Sequence, residues 1–96
     1  MLKNYTMSRH LIEDREERLV KIAMTIGFGE VIKESTHNGA TIFLTNTGII
    51  YVVNKQLKII ITVYVATINE ISAIYNGKIP SCIFNKVKKN ERRFRG

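Results

Sequence analysis

Residues 59–70, "IIITVYVATINE", hold two structures end to end. The first seven residues are apolar and β-branched, as a strand requires. Strand alternation sets Lys58, Ile60, Thr62 and Tyr64 on one face and Ile59, Ile61, Val63 and Val65 on the other. The all-aliphatic face reads as the one that meets a helix, leaving a lysine, a hydroxyl and a phenol in line on the wetter face. From Thr67 the pattern changes. Thr67-x-x-Glu70 is a capping box, and Ile68, Ile71 and Ile74 follow at helical spacing.

Upstream, the chain supplies what this strand pairs with. "EVIKES" (30–35) alternates, "HNG" puts Asn38-Gly39 where a tight hairpin wants positive φ angles, and "ATIFL" (40–44) follows. After "TNTG", "IIYVVN" (49–54) is a third strand, making 59–65 the fourth of an antiparallel meander. Before the strands, a helix is predicted from about Ser8, its N-cap, to Ile26, with the "GFG" at 27–29 ending it. Leu11, Ile12, Leu19, Ile22, Ala23 and Ile26 form its apolar stripe, with His10, Asp14, Glu17, Lys21 and Thr25 opposite. Asn76-Gly77 stops the second helix and Pro80 opposes a restart. The expected fold is α+β: a long N-terminal helix packed on a four-stranded antiparallel meander, a short second helix and a basic C-terminal tail. Residues 1–85 form the single compact domain and 86–96 the tail, with one face of the sheet partly open.

The composition narrows the function classes. A 96-residue chain with 45% hydrophobic content suits one domain without staples. Cys82 is the lone cysteine, so an internal disulfide, a zinc cage and a thiol redox pair are all excluded as readings. The start "MLKNYTMSRH" has no apolar run of the signal-peptide kind, and the apolar region 49–65 is broken by "NKQLK". The expectation is a cytoplasmic protein with no membrane partner and no cofactor. The net charge of +7 is uneven: Lys86, Lys88, Lys89, Arg92, Arg93 and Arg95 against Glu91 give +5, leaving +2 for residues 1–85. Interleaved with Phe84 and Phe94, these cations suit a nucleic acid, whose phosphates they contact while aromatic faces stack on bases. On this reading the tail supplies affinity rather than fold.

Three polar features are candidates for chemistry. His10 has the intrinsic pKa of a general acid or base near neutral pH, while His37 reads as an ordinary turn residue. Arg15 stands in the middle of the apolar stripe, where a guanidinium is costly unless paired or facing a cavity. From there it would hold a phosphate by two parallel hydrogen bonds, with Arg18 assisting. Thr62 and Tyr64 complete the set. No acidic cluster fits Mg²⁺, since the helix carboxylates lie among basic residues.

The pattern His10-x4-Arg15-x2-Arg18 in the first helix, followed by a meander ending in "ITVY" (61–64), resembles the barnase/EndoU/colicin/RelE-like small nucleases, in particular the compact forms of phages and toxin systems. The resemblance spans roughly residues 8–65. It implies that His10 is acid or base, Arg15 and Arg18 clamp the scissile phosphate, and Thr62 and Tyr64 position the substrate. The helical wheel, however, points His10 away from Arg15.

The leading expectation is therefore a metal-independent endoribonuclease, the 2′-OH attacking the adjacent phosphorus, with catalytic residues His10, Arg15, Thr62 and Tyr64. Nucleic-acid contacts are expected from Arg18, Lys58, Lys86, Lys88, Lys89, Arg92, Arg93 and Arg95. The alternatives are a phage-encoded inhibitor or anti-defence protein of the same fold, binding a host or antitoxin protein or another phosphate-bearing ligand such as a nucleotide, and a non-catalytic RNA-binding domain.

Overall fold

The computed structural model describes residues 2–95, without the side chains of Asp14, Arg15, His37 and Arg95. In chain order the elements are β1 (Thr6–Met7), α1 (Arg9–Thr25), β2 (Val31–His37), β3 (Ala40–Thr45), β4 (Ile49–Asn54), β5 (Ile59–Val65), α2 (Ile68–Ile74) and α3 (Ser81–Arg95). The local signals work as read. Ser8 caps α1 by accepting the Leu11 N–H at 3.2 Å, and both halves of the Thr67–Glu70 capping box form. Asn38 and Gly39 take φ of 51° and 78°, as a two-residue hairpin turn requires.

The sheet is not the four-stranded antiparallel meander expected. It has five strands in the order β1-β5-β4-β3-β2 and is mixed, because β1 lies parallel to β5. Thr6 N–H donates to the Lys58 carbonyl and Ser8 N–H to that of Ile60, each at 2.9 Å. A two-residue strand has no period to read, so its pairing is decided by tertiary contact alone.

The basic C-terminal tail is also corrected: it is most of α3, a fifteen-residue helix. Pro80 does not oppose this helix. It stands just before the first turn, where its missing N–H is no loss, and its carbonyl accepts the Phe84 N–H at 3.0 Å. Ile83, Val87 and Asn90 recur along one side of the helix and are buried.

Two cores result, one on each face of the sheet. Leu11, Leu19 and Ile22 of α1 pack on Phe43, Tyr51, Val53, Ile60 and Val63. The opposite face, expected to be partly open, is covered by α2 and α3: Ile71, Ile83 and Val87 meet Leu44, Ile50 and Ala66. Each fully buried Ile, Leu or Val removes enough apolar area to stabilise the fold by about 1.5–3 kcal/mol. Ile12 and Ala23 fall outside the apolar stripe and are exposed.

The face assignment of β5 needs a correction too. Val52 pairs with Thr62 and Val53 with Ile60, so Ile61 is the extra residue of a β-bulge. The bulge shifts the alternation by one. Ile60 joins the α1 core and Ile61 is 43% exposed, while Val63 keeps the expected side.

Candidate nucleic-acid interface

β1 covers only Ile59 and Ile60, so beyond Ile61 the outer edge of β5 has no strand beside it. The second half of α1 and the last turns of α3 close over that edge. Between them lies a hollow of about 470 Å³ bordered by Glu17, Arg18 and Lys21 of α1, Tyr64 and Val65 of β5, and Phe94 of α3. The Lys21 Nζ sits 5.1 Å from the centroid of the Phe94 ring, tying the two helices together.

α3 is held in place by two polar contacts. Glu91 Oε1 accepts the Ile68 N–H at 3.1 Å, satisfying a donor at the start of α2. Asn90, 2% exposed, donates from Nδ2 to the Thr47 carbonyl at 2.8 Å. Gly48 is needed beside it, since a Cβ there would stand 2.8 Å from Asn90 Nδ2.

Tyr64 projects toward the α2–α3 face, beside Glu70. Burial, then the hydrogen bond to Glu70 and the charge of that carboxylate, hold its phenol well above the usual phenol range. The hydroxyl therefore stays protonated and works as a hydrogen-bond donor rather than a base. Tyr51 is a different case. It is buried in the α1 core, its hydroxyl lacks a hydrogen-bond partner, and burial pushes its pKa up to about 12.

Of the expected site residues, the fold brings Arg18 and Tyr64 together. A search among protein-family models, curated proteins and solved structures finds no significant match to the chain. The arrangement is thus to be read from its own geometry. The Arg15 side chain lies outside the described residues; its backbone is in α1, three residues before Arg18. His10 is exposed in the first turn, about 12 Å along the helix axis from Arg18 and about 80° around it. Thr62 is half-buried in β5 and does not border the hollow. Lys58 stands at the other end of β5, its Nζ 5.1 Å from the Tyr5 ring centroid.

The C-terminal cations are sorted by the helix. Lys86, Lys89 and Arg93 border a second hollow between α3, the end of α1 and the β3–β4 turn. Lys88 and Arg92 are exposed elsewhere on α3, Lys88 with its Nζ 5.8 Å from the Phe84 ring centroid, and the Arg95 side chain lies outside the described residues. Sequence reasoning missed Glu17, Lys21 and Phe94 as neighbours of Tyr64. The signal was the apolar spacing Ile83, Val87, Phe94, legible as a helix face once Pro80 is taken as a start. Among the described residues, no three His, Cys, Asp or Glu side chains converge as metal ligands, and no helix is long and apolar enough to cross a membrane.

Proposed function

We propose that this chain acts on RNA at the α1–β5–α3 hollow, cleaving the strand through its 2′-OH without a metal ion. The observation that carries the reading is that Arg18 and Tyr64, far apart in sequence, border one hollow together with Phe94. The Arg18 fork suits two oxygens of a phosphodiester, Tyr64 forms part of the wall with its hydroxyl held by Glu70, and the Phe94 ring offers a stacking face. Among the described residues, Glu17 is the carboxylate that borders the hollow. It takes the 2′-OH proton as that oxygen attacks phosphorus; the bond to the 5′ oxygen breaks, and the leaving oxygen takes a proton from solvent. The product ends are a 2′,3′-cyclic phosphate and a 5′-OH. Such a protein meets its substrate in the cytoplasm.

One observation favours a second reading, RNA binding without cleavage: His10 is two turns away from Arg18 and does not border the hollow. Incubating the purified chain with end-labelled single-stranded RNA in EDTA separates the two. Cyclic-phosphate ends that disappear in Arg18→Ala support the nuclease. Retention of intact RNA supports the binding module, and neither cleavage nor retention removes both.

A further inference from the structure

The charge of α3 is not spread evenly around the helix. At 3.6 residues per turn, Lys86, Arg93 and Lys89 fall within a sector of about 60° on one flank of the buried Asn90. Lys88 and Arg92 fall within about 40° of each other on the opposite side. The first three cations surround a hollow of about 210 Å³, whose other walls are Thr25 and Ile26 at the end of α1, Thr47 and Asn90. No carboxylate among the described residues borders it. Among the described residues, no ion pair joins Lys86, Lys89 or Arg93 to an acid.

Two of its polar neighbours are already engaged and serve as a fixed frame. The Thr25 hydroxyl donates to the Lys21 carbonyl at 2.6 Å, and the Thr47 hydroxyl bonds to the carbonyls of Gly27 and Phe28 at 2.9 and 3.1 Å. Asn90 Nδ2 carries two hydrogens and spends one on Thr47 O at 2.8 Å. Three like charges converging on a concave surface, with no acid among the described residues that line it, repel one another, a cost that a bound anion reverses.

We infer that Lys86, Lys89 and Arg93 form a second phosphate subsite, which holds a backbone phosphate of the same single-stranded RNA. The inference rests on the RNA reading for its occupant, though not for the anion pocket itself. The two hollows lie on one seam. α1 and α3 run antiparallel there, Lys21 meeting Phe94 at one end while Thr25 and Ile26 meet Lys86, Lys89 and Arg93 at the other. Phe94 and Lys86 are separated by about 12 Å of helix at 1.5 Å per residue. Nucleic-acid strands advance about 3.4 Å per nucleotide when stacked, so one strand spans the seam with a few nucleotides.

The test compares two variants of equal net charge, Lys86→Gln/Lys89→Gln and Lys88→Gln/Arg92→Gln, in the full chain after matched melting temperatures are verified. Two probes are used: inorganic phosphate followed by amide NMR shifts, and a fluorescent single-stranded RNA decamer followed by anisotropy. Saturable phosphate shifts at Gly48, Lys89 and Asn90 are expected in the parent, lost in Lys86→Gln/Lys89→Gln and kept in Lys88→Gln/Arg92→Gln. RNA affinity is expected to fall at least tenfold in the first variant and under threefold in the second. Absence of a saturable phosphate shift there overturns the subsite, as does an equal loss of RNA affinity in both variants, which is the mark of plain polyelectrolyte attraction. If phosphate binds as expected but the parent shows no affinity for RNA, the pocket stands and the RNA reading falls.

Discussion

Asn90 is 2% exposed and donates to the Thr47 carbonyl at 2.8 Å, joining the C-terminal helix to the β3–β4 turn. This contact makes α3 part of the fold. Asn90→Ala leaves a part-buried carbonyl without its donor and is expected to cost about 1–3 kcal/mol. Truncation after Asn85 removes Val87 and Asn90 together and is expected to abolish cooperative unfolding. Urea titration followed by circular dichroism checks both, and a truncated chain with the parent's midpoint would mean that α3 is dispensable.

The β5 bulge makes a second, sharper prediction. Ile60 is 1% exposed and Ile61 43% exposed, although alternation from Val63 would place Ile61 inside. Ile60→Ala is expected to cost about 2–5 kcal/mol, as buried large-to-small changes do. Ile61→Ala is expected to cost less than about 1 kcal/mol, nearer the range of surface sites. Equal losses, or the reverse order, would place the bulge elsewhere.

Tyr51 gives a prediction with a pH sign. Its folded pKa of about 12 exceeds the ordinary 10.0, so the fold favours the neutral phenol. That contribution is intact below pH 10 and is lost as pH rises through about 12, at about 1.4 kcal/mol per unit of pKa difference, or on the order of 2–3 kcal/mol. Tyr51→Phe removes a hydroxyl that has no hydrogen-bond partner, so its stability at pH 7 should match or exceed the parent's. Between pH 10 and 12 the variant should lose less stability than the parent, as measured by urea unfolding at each pH. Tyr64, whose pKa is also raised, leaves some alkaline sensitivity in the variant.

Elements with a local cause were legible in the sequence, whereas those decided by distant partners were not. Ser8, Thr67–Glu70 and Asn38-Gly39 act within a few residues of themselves, so their signatures give the cap, the capping box and the hairpin directly. β1 is two residues long and exists because Lys58 and Ile60 offer carbonyls to it. The Ile61 bulge has no mark in an aliphatic run, since every residue near it tolerates either face. α3 was hidden by charge: six cations in eleven residues look like a solvated tail until Ile83, Val87 and Phe94 are seen as one helix face. For the candidate site, the sequence singled out Arg18 and Tyr64, while Phe94 and Lys21 needed the third helix to bring them near.

Arg18 should matter to function and hardly to stability. It is exposed and borders the hollow, so Arg18→Ala should shift the unfolding midpoint by no more than about 0.5 kcal/mol. Its affinity for single-stranded RNA should fall about tenfold, with Arg18→Lys recovering part of the loss because the charge remains but the fork does not. Full recovery by lysine would reduce the contact to simple charge.

The most direct test of the central claim is a chemical-shift map of the ¹⁵N-labelled chain titrated with single-stranded RNA at two salt concentrations. Saturable shifts concentrated at Glu17, Arg18, Lys21, Tyr64, Val65 and Phe94 are expected, weakening at the higher salt. Shifts confined to the β2–β3 hairpin, or none at an RNA concentration well above that of the protein, would contradict it.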